Sequence, residues 1–131
     1  MAKRNILKLN AKPITFTVIG ISSHENDYRV SWSLNEHLNM NFIQTDDLTT
    51  GETEFTRFVD ETESRTIWLI SNRGEDSFLL EKYRNIDFIL QFTDILPDEE
   101  INNWLRVLRK APLISTAFVI PFSKQILQKL G

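Results

Sequence analysis

Catalysis in this chain would have to begin at Gly20-Ile21-Ser22-Ser23-His24, where serine and histidine lie close together after a β-branched run. A serine at a strand-to-helix turn is the nucleophile position of the G-x-S-x-G elbow, whose second glycine lets strand and helix pack around a sharp turn. Here His24 stands in place of that glycine. A serine–histidine pair also needs a third group to orient the imidazole, and the neighbouring sequence offers none. Ser22 and Glu25 also have the S-x-x-E spacing of a capping box, in which the hydroxyl accepts from a free N–H of the first helical turn and the glutamate bonds back. The cap explains Ser22 without chemistry, and we adopt it.

Metal and cofactor chemistry find less support. On the expected helix, His24 and His37 point about 140° apart and cannot share an ion. His24-x-x-Asp27 supplies two ligands, whereas a catalytic zinc takes three from the protein. The absence of cysteine removes thiolate sites, disulfides and cysteine nucleophiles. There is no Walker loop and no GxGxxG, so no cofactor is expected.

Most carboxylates, including Asp46, Asp47, Glu75 and Asp76, fall in expected turns or helix starts, where solvation or capping explains them. Asp87 differs, because it lies between Ile86 and Phe88. It is either a perturbed acid or an edge, strand-entry or exposed-face residue, and strand alternation favours the second reading. His24, Ser31 and Asn35 fall inside the apolar arc of the helix expected after Ser22. Together with Asp87 they define a candidate polar pocket between helix and sheet. The plainer alternative is that Ser31 is small where the helix nears the sheet and that Asn35 bonds a neighbouring backbone.

The candidate interaction residues are Arg106, Arg109 and Lys110, with Phe122 beyond them; Lys3, Arg4, Lys8 and Lys12 form a second basic group. A net charge of −3 gives no overall attraction to a phosphate backbone. In FTRF, Phe55 and Phe58 fall on opposite strand faces, which weakens a base-stacking platform. Nucleic acid is therefore a secondary expectation.

These residues must be positioned by the elements around them. ILKLN and TFTVIGI read as strands, with Gly20 marking a bulge or a close backbone approach. The run SSHENDYRVSWSLNEHL fits both strand and helix periods. The capping box decides for a helix over 23–38, with Asn39 as a left-handed stop. Its apolar arc of about 200° contains Tyr28, Val30, Trp32, Leu34 and Leu38 and is expected to bury most of Trp32. Ser33, Glu36 and His37 fall on the polar side. MNFIQT reads as a strand and DDLTTGE as a loop; EFTRFVD and RTIWLIS form a hairpin around ETES. IWLI is apolar on both faces and belongs centrally. FLLEKY suits a short helical turn, and IDFILQF a strand.

The next helix is well marked. Pro97 and the acids Asp98 to Glu100 start it, and Arg106, Arg109 and Lys110 complement its negative end. Ile101, Trp104, Leu105 and Leu108 make its buried face, with Trp104 and Leu105 on the sheet. LISTAFVI is a strand ended by Pro121, and SKQILQKL a short terminal helix with Ile126, Leu127 and Leu130 on its apolar side.

The order β-α-β-β-β-β-α-β, with short turns between consecutive strands, predicts a mainly antiparallel sheet with two amphipathic helices on one face. That is a single two-layer α+β domain over 1–131, with 122–131 as a peripheral tail. Nothing resembles a signal peptide or a membrane helix, so the expected location is the cytoplasm. The tail must dock on its own domain or form a homodimer contact, because so short a helix is unstable alone.

GISSHENDYRVSWSLN, IWLISNRG, NIDFILQF and APLISTAFVIP together resemble the IPExxVDY family of small uncharacterised bacterial proteins, over roughly residues 7–122. Ile86-Asp87-Phe88 stands for the VDY end of the naming motif; the preceding LLEKYRN lacks the proline. The resemblance implies a cytoplasmic bacterial protein. It brings no known activity and no catalytic residues. The leading expectation is a non-catalytic interaction module with an unknown protein partner. The alternative is an RNA- or nucleoprotein-associated factor using Arg106, Arg109 and Lys110. Third is an enzyme with a pocket around His24, Asn35 and Asp87.

Overall fold

The computed structural model describes residues 16–131; the expected ILKLN strand and the basic residues Lys3, Arg4, Lys8 and Lys12 lie outside them. The described chain is an α+β fold that follows the expected order: β1 (Thr17–Ser22), α1 (Asp27–His37), β2 (Ile43–Thr50), β3 (Thr53–Glu61), β4 (Thr66–Ser71), β5 (Phe88–Phe92), α2 (Asp98–Lys110), β6 (Thr116–Ile120) and α3 (Lys124–Leu130). A single 3-10 turn, Glu81–Tyr83, occupies the short helical turn expected in FLLEKY. The six strands form one sheet in the order β2-β3-β4-β5-β1-β6, antiparallel at every step.

β1 and β4 are interior strands because their β-branched residues feed both faces. Ile19 and Ile21 face α1 and α2, in one core with Val30, Leu34, Leu69, Leu90, Phe92, Leu105 and Leu108. The Trp104 ring leans on Phe92 at 5.1 Å, and Leu105 is buried, so this part of the α2 face packs on the sheet as expected. Val18, Phe55, Ile70 and Ile89 face the other way, into a second core. This second face carries cover that periodicity did not reveal. Leu79, Leu80 and Ile86 from the β4–β5 connection lie on it, together with Ile126 and Leu130 of α3. The tail is thus docked on its own sheet, and the Gln91 amide donates to the Leu130 carbonyl at 3.1 Å.

At Gly20 the strand ladder continues on both sides, to Ile89 and to Phe118, so the glycine marks close approach and not a bulge. A Cβ there would lie 2.4 Å from Ile86 Cδ1 and 3.2 Å from Ile120 Cδ1. Gly20→Ala is expected to cost about 1–3 kcal/mol, the usual range for overpacking a filled core. Ile86→Val removes the clashing methyl, so the double variant should lose less than the sum of the single ones. A urea double-mutant cycle measures this, and strictly additive losses would contradict it.

DDLTTGE is not a loop. β2 continues through it to Thr50, and only Gly51-Glu52 turn, with Gly51 at φ +61 in the glycine position of a tight hairpin. The register passes from Thr45↔Arg57 to Leu48↔Phe55, so Asp46 and Asp47 oppose Thr56 alone in a bulge. Arg57 Nε donates to the Asp46 carbonyl at 3.1 Å. A bulged, acidic edge resists pairing with another strand.

The expected helix over 23–38 begins later, at Asp27, and its N-cap is Asn26, whose side chain accepts from the Arg29 N–H. Ser22 is the last residue of β1. Its hydroxyl donates to the Asn85 carbonyl at 2.7 Å, so no capping box forms with Glu25. Asn39, at φ 58, is the expected left-handed stop. Trp32 is 54 % exposed, against the expectation that it is mostly buried. The buried stripe of α1 is Val30, Ser31, Ser33 and Leu34. It is rotated by about 80° from the centre of the apolar arc. Ser33 makes that rotation tolerable, because its buried hydroxyl donates to the Pro112 carbonyl at 2.6 Å.

Arg65, at the end of the β3–β4 turn, ties the sheet to the start of α2 through Glu100 at 2.6 Å and Asp94 at 3.4 Å. The hydrogen bond to Glu100, helped by Asp94, raises the guanidinium above its ordinary pKa.

Candidate functional site

Where β1 and β4 end and β5 and β6 begin, the chain encloses an open cleft of about 700 Å³. His24 and Asp87 of the expected polar set both line it. Asp87 is a strand-entry residue whose carboxylate acts as a clamp. One oxygen accepts from the Ser23 N–H at 2.8 Å and the other from Arg73 Nε at 2.8 Å. Its backbone N–H donates to the Ile21 carbonyl. The carboxylate therefore holds the β1–α1 turn against the β4–β5 connection.

The other two members of the set do not reach the cleft. Ser31 donates to the Tyr28 carbonyl inside α1. Asn35 clasps the backbone of Phe42, accepting its N–H at 2.7 Å and donating to its carbonyl at 3.2 Å. The plainer reading of these two residues holds.

The hydroxyls of Ser22, Ser23 and Ser71 at the cleft are engaged with backbone. Ser22 donates to Asn85. Ser23 donates to the Leu113 carbonyl at 2.5 Å and accepts from the Glu25 N–H at 3.1 Å. His24 is solvent-exposed, and no serine–imidazole hydrogen bond exists among the described residues. A nucleophile needs a base within hydrogen-bond reach, and this arrangement does not supply one. Among the described residues, no group of three or more His, Asp or Glu side chains is placed to hold a metal ion.

Several residues that build the cleft escaped the sequence reading. Asn72 is fully buried and organises the connection that carries Arg73, Asn85 and Asp87. Arg73 and Arg84 both lie over Phe78, at 5.4 and 5.5 Å from its ring centroid. Leu113 has φ 76, a left-handed conformation uncommon for a leucine. The Ser23 and Ser33 hydroxyls bond the carbonyls of Leu113 and Pro112 and hold that turn.

No model of a known protein family matches this chain, and no curated protein matches it.

Outside the cleft, the expected interaction residues divide. Arg109 Nε donates to the Ala117 carbonyl at 2.9 Å, on the edge strand β6. Arg106 is exposed and bonds the Asn103 side chain, and Lys110 is exposed. Phe122 is 40 % exposed and sits edge-on to Phe16 at 5.2 Å. The larger exposed aromatics are on α1. Tyr28 is 61 % exposed, and its hydroxyl bonds the Gln44 side chain. Trp32 stands beside it and meets the His37 ring edge-on at 6.1 Å. No described helix is long and apolar enough to cross a membrane.

Proposed function

We propose that this chain is a non-catalytic protein-interaction module, a cytoplasmic bacterial protein of the IPExxVDY type that its sequence resembles. One observation carries this reading: Tyr28 and Trp32 turn more than half of their surface to solvent from a helix that buries two serines instead. Aromatic side chains are enriched at interface centres, where they supply large contact area at low entropic cost. The cleft supports the same reading, since the Ser22 and Ser23 hydroxyls and the Asp87 carboxylate are bonded to the protein's own groups.

The test is capture from native lysate of the producing cells, comparing the full chain with a Tyr28→Ser/Trp32→Ser variant. Both residues are exposed, so the variant should keep its melting temperature within about 3–4 °C, the shift for roughly 1 kcal/mol at this size. A stoichiometric partner retained by the natural chain and lost by the variant is the expected result. Equal recovery by both, or capture by neither, rejects the proposal. An RNA reading, expected from the sequence at Arg106, Arg109 and Lys110, is favoured by a different feature, the Arg57 guanidinium 4.6 Å over the part-buried Trp68 ring. Salt-sensitive binding of generic RNA, lost in Trp68→Ala, would favour it.

A further inference from the structure

We infer that the groove between the C-terminal end of α1 and the outer side of α2 docks an acidic, amphipathic peptide segment of a partner protein, an inference that rests on the interaction-module reading above. The groove holds about 300 Å³ and is lined by His37, Leu38, Asn39, Asn103, Trp104 and Val107. Its apolar members, Leu38 at the C-cap of α1 and Trp104 and Val107 on α2, are each only part-buried, although both helices pack against the sheet. Trp32, edge-on to His37, extends the apolar wall beyond the groove. Pockets for small ligands run from roughly 300 to 1,000 Å³. This one is at the lower limit, the room a single anchoring side chain needs.

The rim supplies the charge. Asn103, Arg106, Val107 and Lys110 follow the i, i+3, i+4, i+7 spacing, which places them on one stripe of α2. Arg106 bonds the neutral Asn103 amide, and Lys110 has no ion-pair partner among the described residues. Two cations without a compensating acid therefore border an apolar slot. The complementary ligand presents an aromatic or aliphatic anchor flanked by Asp or Glu.

The two competing modes fit less well. Strand addition would need a free sheet edge. The β6 edge has its Ala117 carbonyl occupied by Arg109, and the β2 edge carries the acidic bulge at Asp46-Asp47. Nucleic acid would need a basic surface. Two cations on a chain of net charge −3 give little attraction to phosphates, and a concave slot is not a flat stacking platform.

The experiment selects a random-peptide phage library on the immobilised full chain. The commonest enriched peptide is then synthesised and its binding measured by fluorescence anisotropy. Enriched sequences should pair an aromatic or leucine anchor with acidic residues. Val107→Glu should weaken binding by about tenfold or more, the loss expected of an interface anchor. Arg106→Glu/Lys110→Glu alters two exposed residues, leaves folding intact and should weaken binding comparably, and it guards against a fold defect in the first variant. No enrichment, enrichment without acidic residues, or binding unchanged in both variants overturns the inference. Peptides lost in Tyr28→Ser/Trp32→Ser but kept in Val107→Glu would remove the groove and leave the interaction module standing. Failure of both the selection and the lysate capture would remove both. A poly(U) oligonucleotide that binds more tightly than the peptide and is lost in Arg106→Glu/Lys110→Glu would replace the peptide with nucleic acid.

Discussion

Replacing Asn72 with alanine lowers the unfolding free energy by about 3–5 kcal/mol, a large share of the stability of any small domain. Asn72 is fully buried just after β4. Its Nδ2 donates to the carbonyls of Tyr83 and Ile86, both at 2.9 Å, and its Oδ1 accepts from the Leu80 N–H at 2.7 Å. Alanine leaves the Leu80 N–H and the Ile86 carbonyl without partners, while the Tyr83 carbonyl keeps the Ile86 N–H. A stranded buried group costs about 1–3 kcal/mol, far more than the net gain from an ordinary hydrogen bond. Partial relaxation and water entry keep the total below the sum. Asn72→Asp separates the contributions. It keeps the acceptor for Leu80 but sets a carboxylate oxygen against two carbonyls, so it should destabilise at least as much. Denaturant titration measures both, and an alanine loss below ~1 kcal/mol would falsify the assignment. Amide exchange should quicken at Leu79, Leu80 and Ile86. The cleft should loosen with them, because the same connection carries Arg73, Asn85 and Asp87.

Nothing near Asn72 in the sequence announces this role, and the reason is general to the site. Strand and helix periods are local, so they located both helices of the first layer and the described strands, β2 only in its first three residues. They failed where the deciding partner is distant. The S-x-x-E spacing of Ser22 and Glu25 is real, yet Ser22 finds Asn85, and Ser23 finds Asp87 and Leu113. Those long-range bonds fix the turn, and the helix starts later, at Asp27, behind the Asn26 cap. The phase of α1 failed for a related reason. A wheel weighs Trp32 by its apolar surface, whereas the fold buries Ser33 because Pro112 offers it a carbonyl. A small satisfied hydroxyl lets the helix approach the sheet as closely as an apolar residue would. Asp87 stands out in the sequence because it interrupts an apolar run. A helical wheel groups His24 with Ser31 and Asn35, yet it precedes α1 and reaches the cleft from the β1–α1 turn. Arg73 and Asn85 sit in an aperiodic connection and break nothing.

Removing residues 123–131 lowers the melting temperature by about 10 °C and leaves the solution mass that of the same assembly. A seven-residue helix such as α3 does not form alone in water; its order comes from docking. Ile126 and Leu130 are buried in the second core, and each contributes about 1.5–3 kcal/mol by leaving water. The Gln91 bond to the Leu130 carbonyl adds about 1 kcal/mol. Against this, an ordered tail loses backbone and side-chain entropy, which offsets a substantial part. A net loss near 3 kcal/mol remains, and at this chain length each kcal/mol moves the midpoint by about 3–4 °C. Truncation also uncovers Val18, Ile120 and neighbouring apolar surface, so aggregation could obscure the transition. Ile126→Ser/Leu130→Ser in the full chain avoids this, since it keeps the backbone cover while removing the two anchors. Both forms should melt early by differential scanning calorimetry at unchanged light-scattering mass. A drop in mass on truncation would place the tail in a contact between two copies. An unchanged melting temperature in both forms would mean that α3 adds nothing to the fold, and the burial of Ile126 and Leu130 would then have no energetic consequence.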